Sequence, residues 1–410
     1  MTRRARILKV GILSLLGLIF VVSIAAILIV QTDWFRNYVR QTIITATETG
    51  TGGRVEIESF SFSPRRLEAV ITNFVIHGKE PQGAAPLLKA GRVQVNLWLF
   101  TSLRRILDIS YLGIERPQAN VLVFADGTTN IPEPKEKKES DTSAIDTVID
   151  LAVGRFLISD GMVALNSARQ PIDIRGNNLH ALLRYSAAAQ RYSGDISLQP
   201  IYVVAGRNTP VVFTLTLPVV LERRRVALEN SRIATPDSSI VITGLLEDLK
   251  NPTTRARISG HVALADVQKL AGLSLDLGGR NLPSVVSVDG NASVAKDRIA
   301  VDNLKLAAGK SHIQASGTLK GPQGNGPLAF EATVALDELG RLAKLEARPE
   351  GTIAASGKAT LTADNRYQIT GEIEGRNLSF AQGAQRFRDI NLRTGINFDP
   401  QRLALNGLRL

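Results

Sequence analysis

Arg298-Ile299-Ala300-Val301-Asp302-Asn303-Leu304-Lys305-Leu306 decides how this chain is read, because the phrase occurs three times. It stands 73 residues earlier as Arg225-Val226-Ala227-Leu228-Glu229-Asn230-Ser231-Arg232-Ile233, and again as Arg402-Leu403-Ala404-Leu405-Asn406-Gly407-Leu408-Arg409-Leu410. The first two copies continue in step. Ser239-Ile240-Val241-Ile242-Thr243-Gly244 answers Ser311-His312-Ile313-Gln314-Ala315-Ser316-Gly317, with Gly244 and Gly317 in register. Further on, Val262-Ala263-Leu264 leading into Val267–Leu273 matches Val334-Ala335-Leu336 leading into Leu339–Leu345. Self-similarity of this kind marks a stacked, extendable architecture rather than a closed globule. The third copy stops within a repeat strand, so a fragment of a longer protein is expected.

Outward from the repeat, nearly every segment alternates with period two. Val93, Val95, Leu97 and Leu99 share one face of Arg92–Leu99, and Phe213, Leu215 and Leu217 alternate with Thr214 and Thr216. Tyr367, Ile369, Gly371 and Ile373 alternate with Gln368, Thr370, Glu372 and Glu374. Such runs are half-buried strands with one apolar and one wet face. Helical spacing is confined to Asp33–Thr49, Asp146–Val153, Leu264–Leu273 and Leu336–Leu345. Helices that short cannot cover a long apolar face. Either the sheet packs on another sheet with a filled core, or it curls over a cavity that holds something apolar. The inward set includes Val93, Val95, Leu97, Leu99, Phe213, Leu215, Leu217, Val301, Ile313, Leu319, Ile369 and Ile373. Aliphatic side chains with few rings suit acyl chains, since a buried methylene is worth ~0.8 kcal/mol wherever it lies along the chain.

The N-terminus carries a second signal. Arg3, Arg4, Arg6 and Lys9 precede an uncharged run from Val10 to Val30, and Trp34, Phe35 and Tyr38 follow it. At ~1.5 Å per residue the run spans roughly 30 Å, the thickness of bilayer hydrocarbon. The flanking cations and aromatics match membrane-interface residues, and the basic end points to the cytoplasm. A cleaved signal peptide is the competing reading. This run is longer than a signal core and ends Ile27-Leu28-Ile29-Val30-Gln31, which favours an uncleaved anchor.

Composition removes several classes of function. With no cysteine among 410 residues, disulfides, thiolate chemistry and cysteine-held metals are excluded. A net charge of +11 favours anionic partners, but only 5% aromatics argues against the stacking platforms of single-stranded nucleic-acid binders. His77, His180, His261 and His312 are scattered, and no Gly-x-Ser-x-Gly elbow occurs. Gly309-Lys310-Ser311 fails as a phosphate loop, because Leu304 stands where the first glycine is required and a strand follows. Arg223-Arg224-Arg225 reads as a solvated turn, with contact to lipid headgroups as the lesser alternative. No enzyme activity, cofactor or metal site is expected.

Four regions emerge: a cytoplasmic tip and anchor (1–31), an N-terminal β module (33–131), a charged, proline-containing linker (132–144), and the repeat-bearing β region (145–410). Gly321-Pro322-Gln323-Gly324-Asn325-Gly326-Pro327 is a second break, between two strands. From Trp34 onward the order of motifs resembles the AsmA-like family, and within it the TamB branch. The likeness lies in Trp34-Phe35 and its helix, Gly53-Arg54-Val55-Glu56-Ile57, and Leu67–Gly78. It continues through Pro86-Leu87-Leu88-Lys89-Ala90, Ile114–Val121, Asp126-Gly127-Thr128-Thr129-Asn130, and Phe156–Val163 followed by Ile172-Asp173-Ile174.

That resemblance implies a mostly β protein with a single inner-membrane anchor and an elongated, repeat-built antiparallel β groove in the periplasm of a Gram-negative-type envelope. It implies a role in outer-membrane biogenesis, as a conduit for phospholipid acyl chains between the membranes. The alternative is help with protein secretion and outer-membrane protein insertion. It also implies an outer-membrane barrel partner, met through a C-terminal region beyond residue 410. A passive envelope scaffold is a third reading.

Overall fold

The computed structural model describes residues 28–102, 105–134, 149, 151–169, 171–248, 253–295, 297–320, 325–361, 367–382 and 385–410. These residues are mostly β, with twenty strands assigned to one sheet and three helices. The chain divides into two compact units, one of residues up to 141 with 151–170 and 179–185, the other of 142–150, 171–178 and 186–410.

In the first unit, helix α1 (Asp33–Thr51) begins where the Thr32 hydroxyl accepts the Phe35 N–H at 3.2 Å. It runs through Gly50 and ends at Gly52, whose φ of 76° closes the last turn by donating to the Glu48 carbonyl at 2.8 Å. A Cβ on Gly52 would lie 1.7 Å from the Glu133 carbonyl oxygen, so glycine is required there twice over. Strands β1 (Arg54–Ser63), β2 (Glu68–His77), β3 (Leu88–Ser102) and β4 (Arg105–Glu115) form an antiparallel meander. Ile43 and Ile44 of α1 pack on Val55, Ile57 and Ile76, joined by Ile71, Phe74 and Leu88.

β5 (Gln118–Val123) pairs antiparallel with the start of β3, but β6 (Arg155–Ser167) runs parallel to both β4 and β5. The antiparallel expectation is corrected at this strand. A parallel neighbour needs a crossover of a dozen residues or more, and the chain between Val123 and Arg155 supplies it.

β7 (Ile172–Ser186) gives residues to both units. In the second unit the strands are β8 (Arg191–Ala205), β9 (Val211–Glu222), β10 (Arg225–Ala234), β11 (Ser239–Glu247), β12 (Thr253–Ala263), β13 (Val285–Ala295) and β14 (Arg298–Ala308). They continue as β15 (Ser311–Lys320), β16 (Gly326–Ala335), β17 (Glu350–Leu361), β18 (Tyr367–Gln382), β19 (Gln385–Asp399) and β20 (Arg402–Arg409). From β8 onward each strand pairs antiparallel with the next. Helix α2 (Leu264–Ala271) follows β12, and α3 (Leu336–Leu342) follows β16.

The repeat is visible in the backbone. The three copies of the opening phrase are β10, β14 and β20, and each places a left-handed residue at its sixth position. These are Asn230 (φ 53°), Asn303 (φ 56°) and Gly407 (φ 68°). Each marks a bulge, with register breaks at Leu228/Ser231 and Val301/Leu304 and across Gly395/Arg393 on the neighbour of β20. Both short helices sit at equivalent strand ends, as the matching segments had suggested.

No helix among the described residues is long and apolar enough to cross a membrane. The span expected over Val10–Val30 falls almost wholly outside them, as do Arg3, Arg4, Arg6 and Lys9. Residues 135–148 of the linker and of the expected 146–153 helix, and 321–324 of the second break, also lie outside.

Candidate functional site

Strand register assembles the expected apolar positions of the second unit onto one face. Side chains of directly paired residues project to the same side of a sheet. Starting at Val219 of β9, the pairing runs Val219–Leu228–Gly244–Ala256–Ala292–Val301. It continues Val301–Gly317–Leu328–Ala359–Ile369–Phe398–Leu403, reaching β20 without one polar side chain. A parallel row runs Leu215–Ile233–Ile240–Gly260–Val288–Leu306–Ile313–Ala332–Ala355–Ile373 and meets its first polar residue at Thr394. Leu319 lies in a third row, beside Ile299. Phe213 and Leu217 flank Leu215 at period two, on the same face of β9.

The reverse face is wet. Thr243, Arg257, Asn291 and Asp302 form one row, and Gln314, Glu331, Ser356 and Glu372 form another. Arg257 pairs with Asp289 at 3.0 Å, and Arg393 with Glu372 at 2.7 Å. A 2.9 Å hydrogen bond from Arg376 holds the Glu374 carboxyl below the usual carboxylate range. His261 and His312 are exposed here, and Gly309-Lys310 forms the β14–β15 turn.

The apolar face is only half covered. Phe213, Leu215, Leu217, Val301, Ile369 and Ile373 are half-buried, Leu319 is buried, and Ile313 is 41% exposed. α2 touches β8, β9 and β12, α3 touches β16 and β17, and each helix is fastened at the end of the strand before it. Ser238 Oγ accepts the Ala263 N–H at 2.9 Å where α2 begins, and Ser311 Oγ accepts the Ala335 N–H at 3.0 Å where α3 begins. The third residue of each helix then reaches back to the hairpin turn. Asp266 accepts from Thr235 Oγ1 (2.5 Å) and Ser238 Oγ (2.6 Å), while Glu338 accepts the Lys310 N–H at 2.9 Å. All described strands belong to a single sheet, so no separate second sheet closes the face.

The first-unit candidates form their own face. Val93 opposes Ile71 and Ile114, Val95 opposes Ala69 and Leu112, and Leu97 opposes Ile109. They continue the face that carries the α1 core, so part of this surface is filled by the protein itself. Leu99 pairs in register with Leu107, and its side chain lies outside the described residues. Trp34 and Tyr38 stack at 5.7 Å on the exposed side of α1, with Phe35 half-buried beside them.

Alternation in the sequence pointed to the face but missed many of its members, among them Ala256, Ala292, Leu328 and Phe398. Each bulge shifts parity within a strand, so Val301 and Leu304 share a face although three positions apart. The signal was present as the repeated Asn230 and Asn303, residues that tolerate the left-handed conformation. No protein-family model, curated protein or solved structure matches this chain.

Proposed function

We propose that the apolar face of the second unit binds phospholipid acyl chains, and that the protein serves as an inner-membrane-anchored periplasmic conduit for phospholipid between inner and outer membranes. One observation carries this reading: the apolar row from Val219 to Leu403, crossing every strand from β9 to β20 without a polar side chain. An acyl chain needs no hydrogen-bond partner, and such a wall offers none. Strands lie ~4.8 Å apart, so an extended acyl chain of about 20 Å laid across them touches about four at a time. With no polar anchor, its energy is similar at successive positions along the row, and movement follows. The half-burial of the row supports the same reading, since a contiguous exposed apolar surface is costly unless something covers it. The anchor expected over Val10–Val30 and the AsmA-like order of motifs supply the membrane setting.

Lipid extracted from the purified chain and counted by mass spectrometry tests this. Wild type should retain phospholipid in stoichiometric amount, and the triple variant Val301→Asp, Ile313→Asp, Ile373→Asp should lose it while keeping its strand content by circular dichroism. A folded variant that retains the lipid would place the acyl site elsewhere, and a wild type that carries none would leave the passive-scaffold reading.

A further inference from the structure

We infer that the first unit rests on the surface of the bilayer beside its anchor, with Trp98 set among the lipid headgroups and Arg65 and Arg66 against their phosphates. The inference is separate from acyl-chain binding by the second unit and shares with it only the membrane setting.

Hydrogen bonds gather three features at one end of this unit. Glu48 Oε1 of α1 accepts the Val55 N–H at 3.0 Å, and Arg40 donates to the Ile57 and Glu58 carbonyls at 3.3 Å each. As β1 advances, α1 is met in reverse, so the start of the helix lies toward the β1–β2 turn. That start carries Leu28 and Ile29, from the end of the expected anchor, and the stacked Trp34 and Tyr38, all four at least 50% exposed. The turn is Pro64-Arg65-Arg66-Leu67, and both arginines are exposed with no ion pair among the described residues. Glu68 beside them already binds Arg92 at 3.4 Å. The Leu67 carbonyl accepts the Leu97 N–H at 2.8 Å, which brings Trp98 next to the turn.

Trp98 breaks the pattern of its face. On the wet side of β3, Arg92 donates to Gln94 at 3.3 Å and Gln94 to Asn96 at 2.9 Å, but the next residue on that side is Trp98, 63% exposed. β2 flanks β3 only as far as Asn96, and β6 flanks β4 only from Tyr111. Beyond those points β3 and β4 pair with each other alone, out to Ser102 and Arg105. A two-stranded ribbon is marginal by itself in water. Trp34 and Trp98 are the only tryptophans of the chain, and both stand exposed at this end. Indole and phenol rings collect at the membrane–water interface, where the ring is buried and its N–H or O–H stays wet. Two unpaired arginines beside such a ring, at the end where the anchor enters, fit an anionic bilayer surface.

With two tryptophans, each can be read alone. The full chain carrying Trp34→Phe, whose remaining indole is Trp98, is reconstituted into vesicles of equal parts phosphatidylcholine and phosphatidylglycerol. The acyl chains are brominated near the headgroup, near the methyl end, or not at all. Interfacial groups sit ~5–10 Å into the headgroup boundary, so shallow bromine should quench Trp98 about twofold and deep bromine much less. Adding Arg65→Gln and Arg66→Gln should reduce that quenching by about half, because the attraction to anionic headgroups is lost. Trp98 points away from Val93, Val95 and Leu97, so lipid held on the apolar face does not account for the signal. The Trp98→Phe chain reports Trp34 as the control. Trp34 quenched while Trp98 is not would overturn the proposal and leave Trp98 to a protein partner. Quenching of Trp98 that the arginine changes do not alter would overturn it as well. Quenching of neither tryptophan would overturn it together with the anchor, whereas the lipid count on the second unit is read from other residues.

Discussion

Ser238 and Ser311 perform the same task 73 residues apart, each accepting the last strand N–H before a short helix. The sequence paired Ser239 with Ser311, yet the glycine register already requires Ser238, and the structure agrees. Ser239 instead accepts a hydrogen bond from Arg232 Nε at 3.0 Å. What the sequence could not reveal is why a carboxylate recurs two residues into each helix. Asp266 and Glu338 are 4% and 5% exposed and close the hairpin turns below them. Removing an acceptor strands buried donors at a cost of ~1–3 kcal/mol. Asp266→Ala should therefore lower stability within that range, and by more than Glu338→Ala, because two hydroxyls lose their acceptor rather than one N–H. Urea unfolding midpoints measure both, and a reversed order would refute the clasp role. Glu374 yields a pH prediction of defined sign. Its folded pKa is depressed by Arg376, so its contribution is intact above the usual carboxylate range and fades as pH falls through the folded value. A carboxyl carbon NMR titration should place Glu374 lower in the wild-type chain than in an Arg376→Ala variant.

Strands were legible because alternation is a local property, whereas pairing is not. Nothing in Arg155–Ser167 distinguishes a strand with antiparallel neighbours from one with parallel neighbours, and β6 went against expectation for that reason. Helices α2 and α3 were legible from spacing, each ending a few residues sooner than the pattern suggested. The bulges are the informative element. Asn230, Asn303 and Gly407 interrupt period two at the same place in each copy, and a bulge adds local bend and twist to its strand. Forcing a β-branched residue into φ 56° costs about 1–2 kcal/mol. Asn303→Val should lose that much, whereas Asn303→Gly should stay within about 0.5 kcal/mol, as for exposed substitutions that keep the backbone. Thermal melts of the two variants decide it. Equal stability would mean that β14 can shed its bulge.

At the scale of the whole molecule, the half-covered face of the second unit sets the energetics. Its existence could be read from Phe213, Leu215, Leu217, Val301, Ile369 and Ile373, but its state of cover could not, because cover depends on what the rest of the chain places above it. If the face is bare when empty, a charge there costs little in the lipid-free chain. Ile313, at 41% exposure, is the position to use. Ile313→Asp should shift lipid-free stability by less than about 0.5 kcal/mol, the usual limit for exposed sites. Ligand that binds only the folded state adds RT ln(1 + [L]/Kd), about 2.7 kcal/mol at 100 Kd. Wild type titrated with a short-chain phospholipid below its micelle concentration should therefore show a rising melting temperature, and Ile313→Asp should show a much smaller rise from the same starting point. Two results would contradict an open acyl-binding face: a variant already several kcal/mol less stable without lipid, which would show Ile313 to be packed by the protein itself, or equal rises in both proteins, which would place the lipid elsewhere.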